Sequence, residues 1–277
     1  MRELTTDRGL AERYIPHLRY DRAEPYSPEG VGYTVYTAQD ACQTDAIPLT
    51  AVRSRSCRLQ IELEPGETVI EYAFYYDFDI QHLYDLEHVF VKVDREGGIT
   101  GILGSFHGKF LNDLIEGETQ FEGTHVILYV QPGKHAFMPK PHYFRLFPDR
   151  DRCCGEYAGR DGLLIAPMFE GRLFTDEVFD RKVERYIREN HAFVPTWEFA
   201  ARHPEPHSAQ EPNLHTAGSA RRAEETGLYT TQDGKLHTVG GARRAEDVLM
   251  PWEELDALIV ERITEWKNKI ERAAEQP

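Results

Sequence analysis

Val69 to Tyr76 is a nearly continuous run of apolar and aromatic residues, and Glu87 to Val93 is another. Runs of this kind, with no polar alternate face, read as strands covered on both sides. Between and overlapping them lies Asp77-Phe78-Asp79-Ile80-Gln81-His82-Leu83-Tyr84-Asp85-Leu86-Glu87-His88, which holds three aspartates, a glutamate and two histidines. Carboxylates and imidazoles at the mouth of an apolar strand are costly to desolvate unless paired, hydrogen-bonded or bound to a cation. The segment therefore marks a site, and a fold that accepts it must bury a charged cluster beside a sheet.

Composition narrows the partners. The 277 residues carry a formal charge of −15 and a pI near 5.3, which argues against nucleic acid or an anionic membrane surface as a partner. No apolar stretch approaches the ~20 residues needed to cross a bilayer, and no basic start followed by an apolar run marks a secretory leader. Cys42, Cys57, Cys153 and Cys154 form no CxxC pair. The expectation is four reduced thiols in a cytoplasmic protein, with a Cys42–Cys57 bridge as the alternative.

Leu18 and Tyr20, followed by Glu24-Pro25-Tyr26-Ser27-Pro28, read as an extended segment and turn. Cys57 to Glu64 alternates as a half-buried strand, Ile99 to His107 closes a hairpin through Asp94 to Gly98, and Thr124 to Val130 forms a further strand. Asp176 to Glu189 and Pro251 to Ala274 show helical spacing. Ala200 to Gly218 reads as a long irregular loop, and Tyr229 to Val239 as a small hairpin around Asp233-Gly234. The architecture expected is mainly β: a single domain with an antiparallel β-sandwich over about 10–170 and a helical and loop extension over about 171–277.

Pairing Val93 with Ile99 and continuing the register puts Glu87 opposite Ser105 and Asp85 opposite His107, so these four side chains line one face. Asp79 and His82 lie in the connection just before that strand, and Lys134 and His135 follow a Pro-Gly turn at the end of another. Oxygen ligands with one imidazole favour Mg²⁺, Ca²⁺ or Mn²⁺, and more histidines would favour Zn²⁺. The plainer alternatives are a solvated acidic loop for Asp77 and Asp79, a satisfied core histidine for His88, and ordinary polar roles for His125, His142, His203, His207 and His215. No G-x-S-x-G, Walker A or G-x-G-x-x-G stretch exists, so a nucleophile elbow or nucleotide cradle is not expected.

The order of aromatic strand, acidic turn, His-x-x-Asp-x-Glu, apolar strand and Ser-x-His-Gly resembles the necrosis-inducing protein (cytolysin) superfamily, whose hallmark is G-H-R-H-D-W-E. Gln81 to Glu87 keeps the first histidine as His82, the aspartate as Asp85 and the glutamate as Glu87, while Gln81, Tyr84 and Leu86 depart from it; Ser105 to Gly108 matches the later motif. The resemblance covers roughly residues 10–140. It implies a β-sandwich with a divalent cation held by Asp77 or Asp79 together with His82, Asp85 and Glu87, and a sugar-bearing ligand.

Two functions follow as expectations. The first is a divalent-metal-dependent hydrolase of a small sugar- or phosphate-containing substrate, with Asp79, His82, Asp85 and Glu87 on the metal, His107 as acid or base, and Lys134 and His135 orienting negative charge. The second is a lectin-like, metal-dependent glycan-binding module. A helical tail with Trp252 and Trp266 permits a homodimer.

Overall fold

The computed structural model describes residues 6–40, 51–201, 228–230, 236–238 and 245–275. Helix α1 (Asp7–Tyr14) starts at Thr6, whose side chain accepts from the Gly9 N–H, and leads into strand β1 (His17–Asp21). Then come β2 (Gly30–Tyr36), the short pair β3 (Ala51–Arg53) and β4 (Gln60–Glu62), and the long β5 (Thr68–Phe78) and β6 (Leu83–Val93). They are followed by β7 (Ile99–Phe106), β8 (Lys109–Asn112), β9 (Gln120–Glu122), β10 (His125–Val130) and β11 (Phe137–Met138). The remainder comprises α2 (Glu177–Asn190), β12 (Phe199–Ala201), β13 (Leu228–Thr230), β14 (Leu236–Thr238), β15 (Leu249–Pro251) and α3 (Trp252–Glu275).

Two sheets build the core, in the orders β15-β2-β5-β6-β7-β8 and β11-β10-β1-β12, with β9 beside β10. The protein is mainly β, as its pattern of runs and turns predicts. The sheets are not purely antiparallel, however: β15 runs parallel to β2, and β1 parallel to β10. Those partners lie far apart in the chain and are joined by long crossovers, which permit parallel pairing where a tight hairpin does not.

The β5–β6 pair is covered on both faces, as its unbroken apolar runs require. On one side Phe74 packs on Phe137 at a ring separation of 5.1 Å, and the hydroxyls of Tyr76 and Tyr20 meet at 2.9 Å, tying this sheet to the second one. On the other side Val69, Phe90 and Tyr36 bury against Val52, Ile61 and Leu63 of the β3–β4 region. Helix α3 lies on β2, where a Cβ on Gly30 or Gly32 would come within 2.6 or 2.8 Å of Leu255; glycine there is what lets the helix approach. Arg262 of α3 binds Asp77 at the end of β5, which draws that aspartate toward the helix.

Both long helices form where their spacing predicts. Helix α2 buries Phe179, Val183 and Ile187 behind an Asp176 cap, but Val178 is exposed. Strands β13 and β14 pair as a hairpin, and its Asp233-Gly234 turn, like Cys42, His203, His207 and His215, lies outside the described residues. No helix among the described residues is long and apolar enough to cross a membrane.

Register corrects one expectation. Val93 does pair with Ile99, but the ladder shifts by one between Lys92 and Val93, so Lys92 pairs with Gly101 and Val89 with Gly104. The extra residue, Thr100, is a β-bulge whose hydroxyl donates to Glu67 at 2.6 Å. The shift brings Ser105 beside His88, whose N–H donates to the Ser105 hydroxyl at 2.7 Å, so the predicted Glu87–Ser105 and Asp85–His107 backbone partnerships do not form.

Asp113, just beyond β8, is 1% exposed, and both carboxyl oxygens lack a hydrogen-bond partner. Burial pushes its carboxyl from 3.8 up to about 8. The unfolded chain ionises this group freely, so the stability compatible with it is full below 3.8 and declines as pH rises through about 8. Asp113→Asn should therefore be more stable than wild type at pH ~9, by a few kcal/mol, with the gap closing toward pH ~5, as read from urea midpoints at the two pH values.

Candidate functional site

Two tight connections assemble the site. Between β5 and β6, Asp79 folds back so that its Oδ1 accepts the Gln81 N–H at 2.6 Å, and the Asp79 N–H donates to the His82 carbonyl at 3.0 Å. Between β10 and β11, the His135 N–H donates to the Gln131 carbonyl at 2.9 Å, closing a turn through Gly133 at φ 66°. The turns touch: the Ile80 N–H donates to the Gly133 carbonyl at 2.6 Å, and a Cβ on Gly133 would lie 2.8 Å from the Ile80 Cβ. Any residue but glycine would hold the two apart.

This closeness delivers two cations to two carboxylates. The Lys134 ammonium lies 2.7 and 2.6 Å from the two oxygens of Asp79, and His135 Nδ1 lies 3.0 Å from Asp85 Oδ2. His135 stacks on Tyr76 at 3.8 Å with the rings 4° apart, while its Nε2 stands 3.7 Å from Glu24. His82 Nε2 approaches Asp79 at 3.7 Å, and His107 Nε2 meets the Gln131 side-chain oxygen at 2.8 Å. Glu87 accepts from the Ser105 hydroxyl. Asp79, Asp85, Lys134 and His135 are buried, whereas His82, Glu87 and His107 are half-buried and form the rim.

The backbone is held under strain at the same place. Tyr84, His107 and His135 have φ of 57°, 49° and 52°, in the left-handed region that costs a bulky side chain about 1 kcal/mol or more. The Tyr84 hydroxyl accepts the Ala166 N–H at 3.0 Å, which fixes the first of these.

Charges follow the geometry. Burial works against an ionised Asp79, but the nearby Lys134 and His82 outweigh it and hold the carboxyl below its ordinary value. For Lys134 burial is likewise outweighed, by Asp79 and Asp85, and its ammonium is raised. Burial lowers His135, yet the hydrogen bond to Asp85 and the nearby carboxylate of Glu24 carry it up to about 9. Glu87 is pushed well up, by burial and then by Asp85; burial sets His107 down.

The seven residues singled out by sequence, Asp79, His82, Asp85, Glu87, His107, Lys134 and His135, thus gather at one end of the gap between the sheets. Their internal arrangement differs from a ligand shell. Asp79 is engaged on both oxygens by Lys134, and Asp85 by His135 and the Leu86 N–H at 2.9 Å. These residues do not fit a divalent ion as they stand, because the ammonium of Lys134 takes the place that a cation would hold against Asp79. Among the described residues, the trio whose donor atoms all lie within 4.8 Å of one another, and which could hold a metal ion, is instead Cys57, Glu71 and His88. It lies on the opposite face of β5 and β6. Glu24, Gln131 and Tyr76, which complete the first cluster, carry no local motif.

No protein-family model matches the chain, and no curated protein does. Solved structures of necrosis and ethylene inducing proteins do match. NLPPya in complex with glucosamine aligns at 19% identity over 49% of this chain and 67% of that one, with a TM-score of 0.32. NLPPya in complex with mannosamine aligns at 19% over 50% and 68%, also at 0.32. Necrosis and Ethylene inducing Protein 2 from the causal agent of cocoa's Witches Broom disease aligns at 20% over 58% and 87%, at 0.31.

Removing one partner of a buried ion pair strands the other. His135→Ala should cost about 3–5 kcal/mol by chemical denaturation at pH ~6. Because the folded value is raised from 6.5 to about 9, the stability from charged His135 is full below 6.5 and fades as pH rises through about 9. The gap between wild type and variant should narrow over that interval; a constant gap would show that packing on Tyr76 dominates.

Proposed function

We propose that the chain is a lectin-like module that binds a small polar compound of the sugar or phosphate class in a cleft beside a buried network whose built-in cation is Lys134. The observation that carries this reading is the surface above the buried network. Glu87 and Ser105, held in place from below, form part of the wall of a cleft of about 380 Å³ that also presents Arg58, Lys109, Phe110 and Leu59. A carboxylate and hydroxyl for ring hydroxyls, two basic groups for an anionic substituent, and an aromatic face for an apolar ring surface suit such a ligand.

The hydrolase reading needs a divalent cation, Mg²⁺, Ca²⁺ or Mn²⁺, held by Asp79, His82, Asp85 and Glu87 to polarise water. With Lys134 bound to Asp79, entry of that ion requires the ammonium to leave. His135, wholly enclosed between Asp85, Glu24 and Tyr76, acts by positioning Asp85 and does not touch a ligand. The free thiols Cys57, Cys153 and Cys154 support a reducing, cytoplasmic setting.

Calorimetric titration with a panel of monosaccharides and sugar phosphates should find binding that persists in EDTA, and Glu87→Gln should weaken it about tenfold. Binding abolished by EDTA, or turnover of a panel member restored by Mg²⁺, would favour the hydrolase instead. Lys134→Ala should lose about 3–5 kcal/mol and regain part of it on addition of Ca²⁺ or Mn²⁺, measured as a rise in Tm that the wild type lacks. If wild type and variant respond to the ions alike, Lys134 is no substitute for a metal.

A further inference from the structure

The face of β5 and β6 turned away from the second sheet carries a second polar cluster. Ala73 pairs with His88 and Glu71 with Phe90, so Glu71 and His88 are diagonal neighbours on that face. The turn between β3 and β4 folds over them and brings Ser54, Ser56 and Cys57. Glu71 is 1% exposed, and its oxygens accept the hydroxyls of Tyr36, Ser54 at 2.6 Å, and Ser56. Three neutral donors surround a buried carboxylate, and the described residues give it no ion pair. His88 is 6% exposed and its Nε2 is buried with no hydrogen-bond partner. Cys57 Sγ donates to Ser54 Oγ at 3.1 Å. One donor atom from each of Cys57, Glu71 and His88 lies within 4.8 Å of the others.

We propose that Cys57, Glu71 and His88 form a transition-metal site with Zn²⁺ as its ion. A thiolate, an imidazole and a carboxylate are the donor types zinc takes in a tetrahedral shell, and the thiolate selects against Mg²⁺ and Ca²⁺. The bare imidazole nitrogen and the carboxylate without a cation are then accounted for together. Binding forms the sulfur–zinc bond and breaks the Cys57 S–H bond, releasing its proton to solvent. The hydroxyls of Tyr36, Ser54 and Ser56 keep their bonds to Glu71 and orient it, as outer partners of metal ligands do. Cys57 and His88 also line the cleft of about 380 Å³ shared with Glu87 and Ser105, so the fourth coordination position opens toward it. The ion sits on the far side of the sheet from Lys134 but on the wall of the cleft proposed above for the ligand, so the test reads the ion alone, with no sugar or phosphate present.

The test uses the full chain, reduced and stripped of metal. Titration with Co²⁺ should give thiolate-to-cobalt charge-transfer absorption that saturates at one ion per chain and is lost when Zn²⁺ is added. Cys57→Ser should abolish that absorption, and His88→Gln should lower zinc affinity at least about tenfold. Because either variant could unfold, peptide mapping of alkylated cysteines in the wild type supplies the independent measurement: Zn²⁺ should slow alkylation of Cys57 about tenfold or more and leave Cys153 and Cys154 unchanged. Cobalt bound without the thiolate band, alkylation of Cys57 indifferent to zinc, or Cys57 recovered in a disulfide with Cys42 would each overturn the proposal.

Discussion

The β5–β6 pair is buried on both faces, and that constraint governs the rest of the molecule. Residues that alternate along a strand point to opposite sides of its sheet, so the polar side chains in the middle of these strands are driven toward one of two enclosed spaces. Asp85 and Glu87 enter the gap between the sheets; Glu71 and His88 enter the space beneath the β3–β4 pair. Neither space offers water enough to solvate a charge, and an unpaired ion there costs several kcal/mol. Partners must come from elsewhere in the chain, and both clusters accordingly draw on segments remote in sequence.

The two clusters meet that demand differently. Between the sheets, Lys134 and His135 arrive on one turn and neutralise Asp79 and Asp85, so the positive charge is covalently part of the fold. A tethered ammonium gives up little freedom when the turn closes, whereas a free divalent ion would have to shed its hydration. Among the described residues Glu87 has no cation of its own there, and burial first, then the neighbouring Asp85, displaces it far toward its neutral form. Beneath the β3–β4 pair no ammonium or guanidinium among the described residues pairs with Glu71. Its hydrogen bonds come from hydroxyls, and the imbalance there is what an added cation would correct.

Much of the fold is legible in sequence because its signals are local. The unbroken runs of β5 and β6, the Asp94 to Gly98 turn, the Asp176 cap and the helical spacing of α3 each constrain their own segment. The gathering of Asp79, His82, Asp85 and Glu87 with Lys134 and His135 is legible for a related reason: charges at strand ends next to apolar runs must be brought inward together. What they do to one another is not legible. The bulge at Thr100 adds one residue and overturns the predicted partners of Glu87 and Asp85, and the choice between a bound metal and an internal lysine depends on Gly133 packing against Ile80. Short parallel pairings such as β1 with β10 carry no periodic signal. His88, read as a satisfied core histidine, is buried but leaves Nε2 bare; the sign available was Glu71, the single charge in the otherwise apolar run Val69 to Tyr76, which had to have a partner somewhere.

The clusters are separated by the sheet yet joined at its edge. Ser105 accepts the His88 N–H at 2.7 Å and donates its own proton to Glu87. A hydroxyl has one hydrogen to give, so while Glu87 takes it, Ser105 can offer only lone pairs to the cleft. A ligand group that engages Glu87 competes for that hydrogen and frees Ser105 to turn. The serine also holds the main chain at His88, so its rotation acts on the strand segment that presents the imbalanced cluster behind it. The bulge at Thr100 makes this link, since without the one-residue shift Ser105 would stand opposite Glu87 in the ladder and would not reach the His88 N–H. A local insertion in one strand thereby connects a cleft-lining carboxylate to the backbone of a buried imidazole across the thickness of a single sheet.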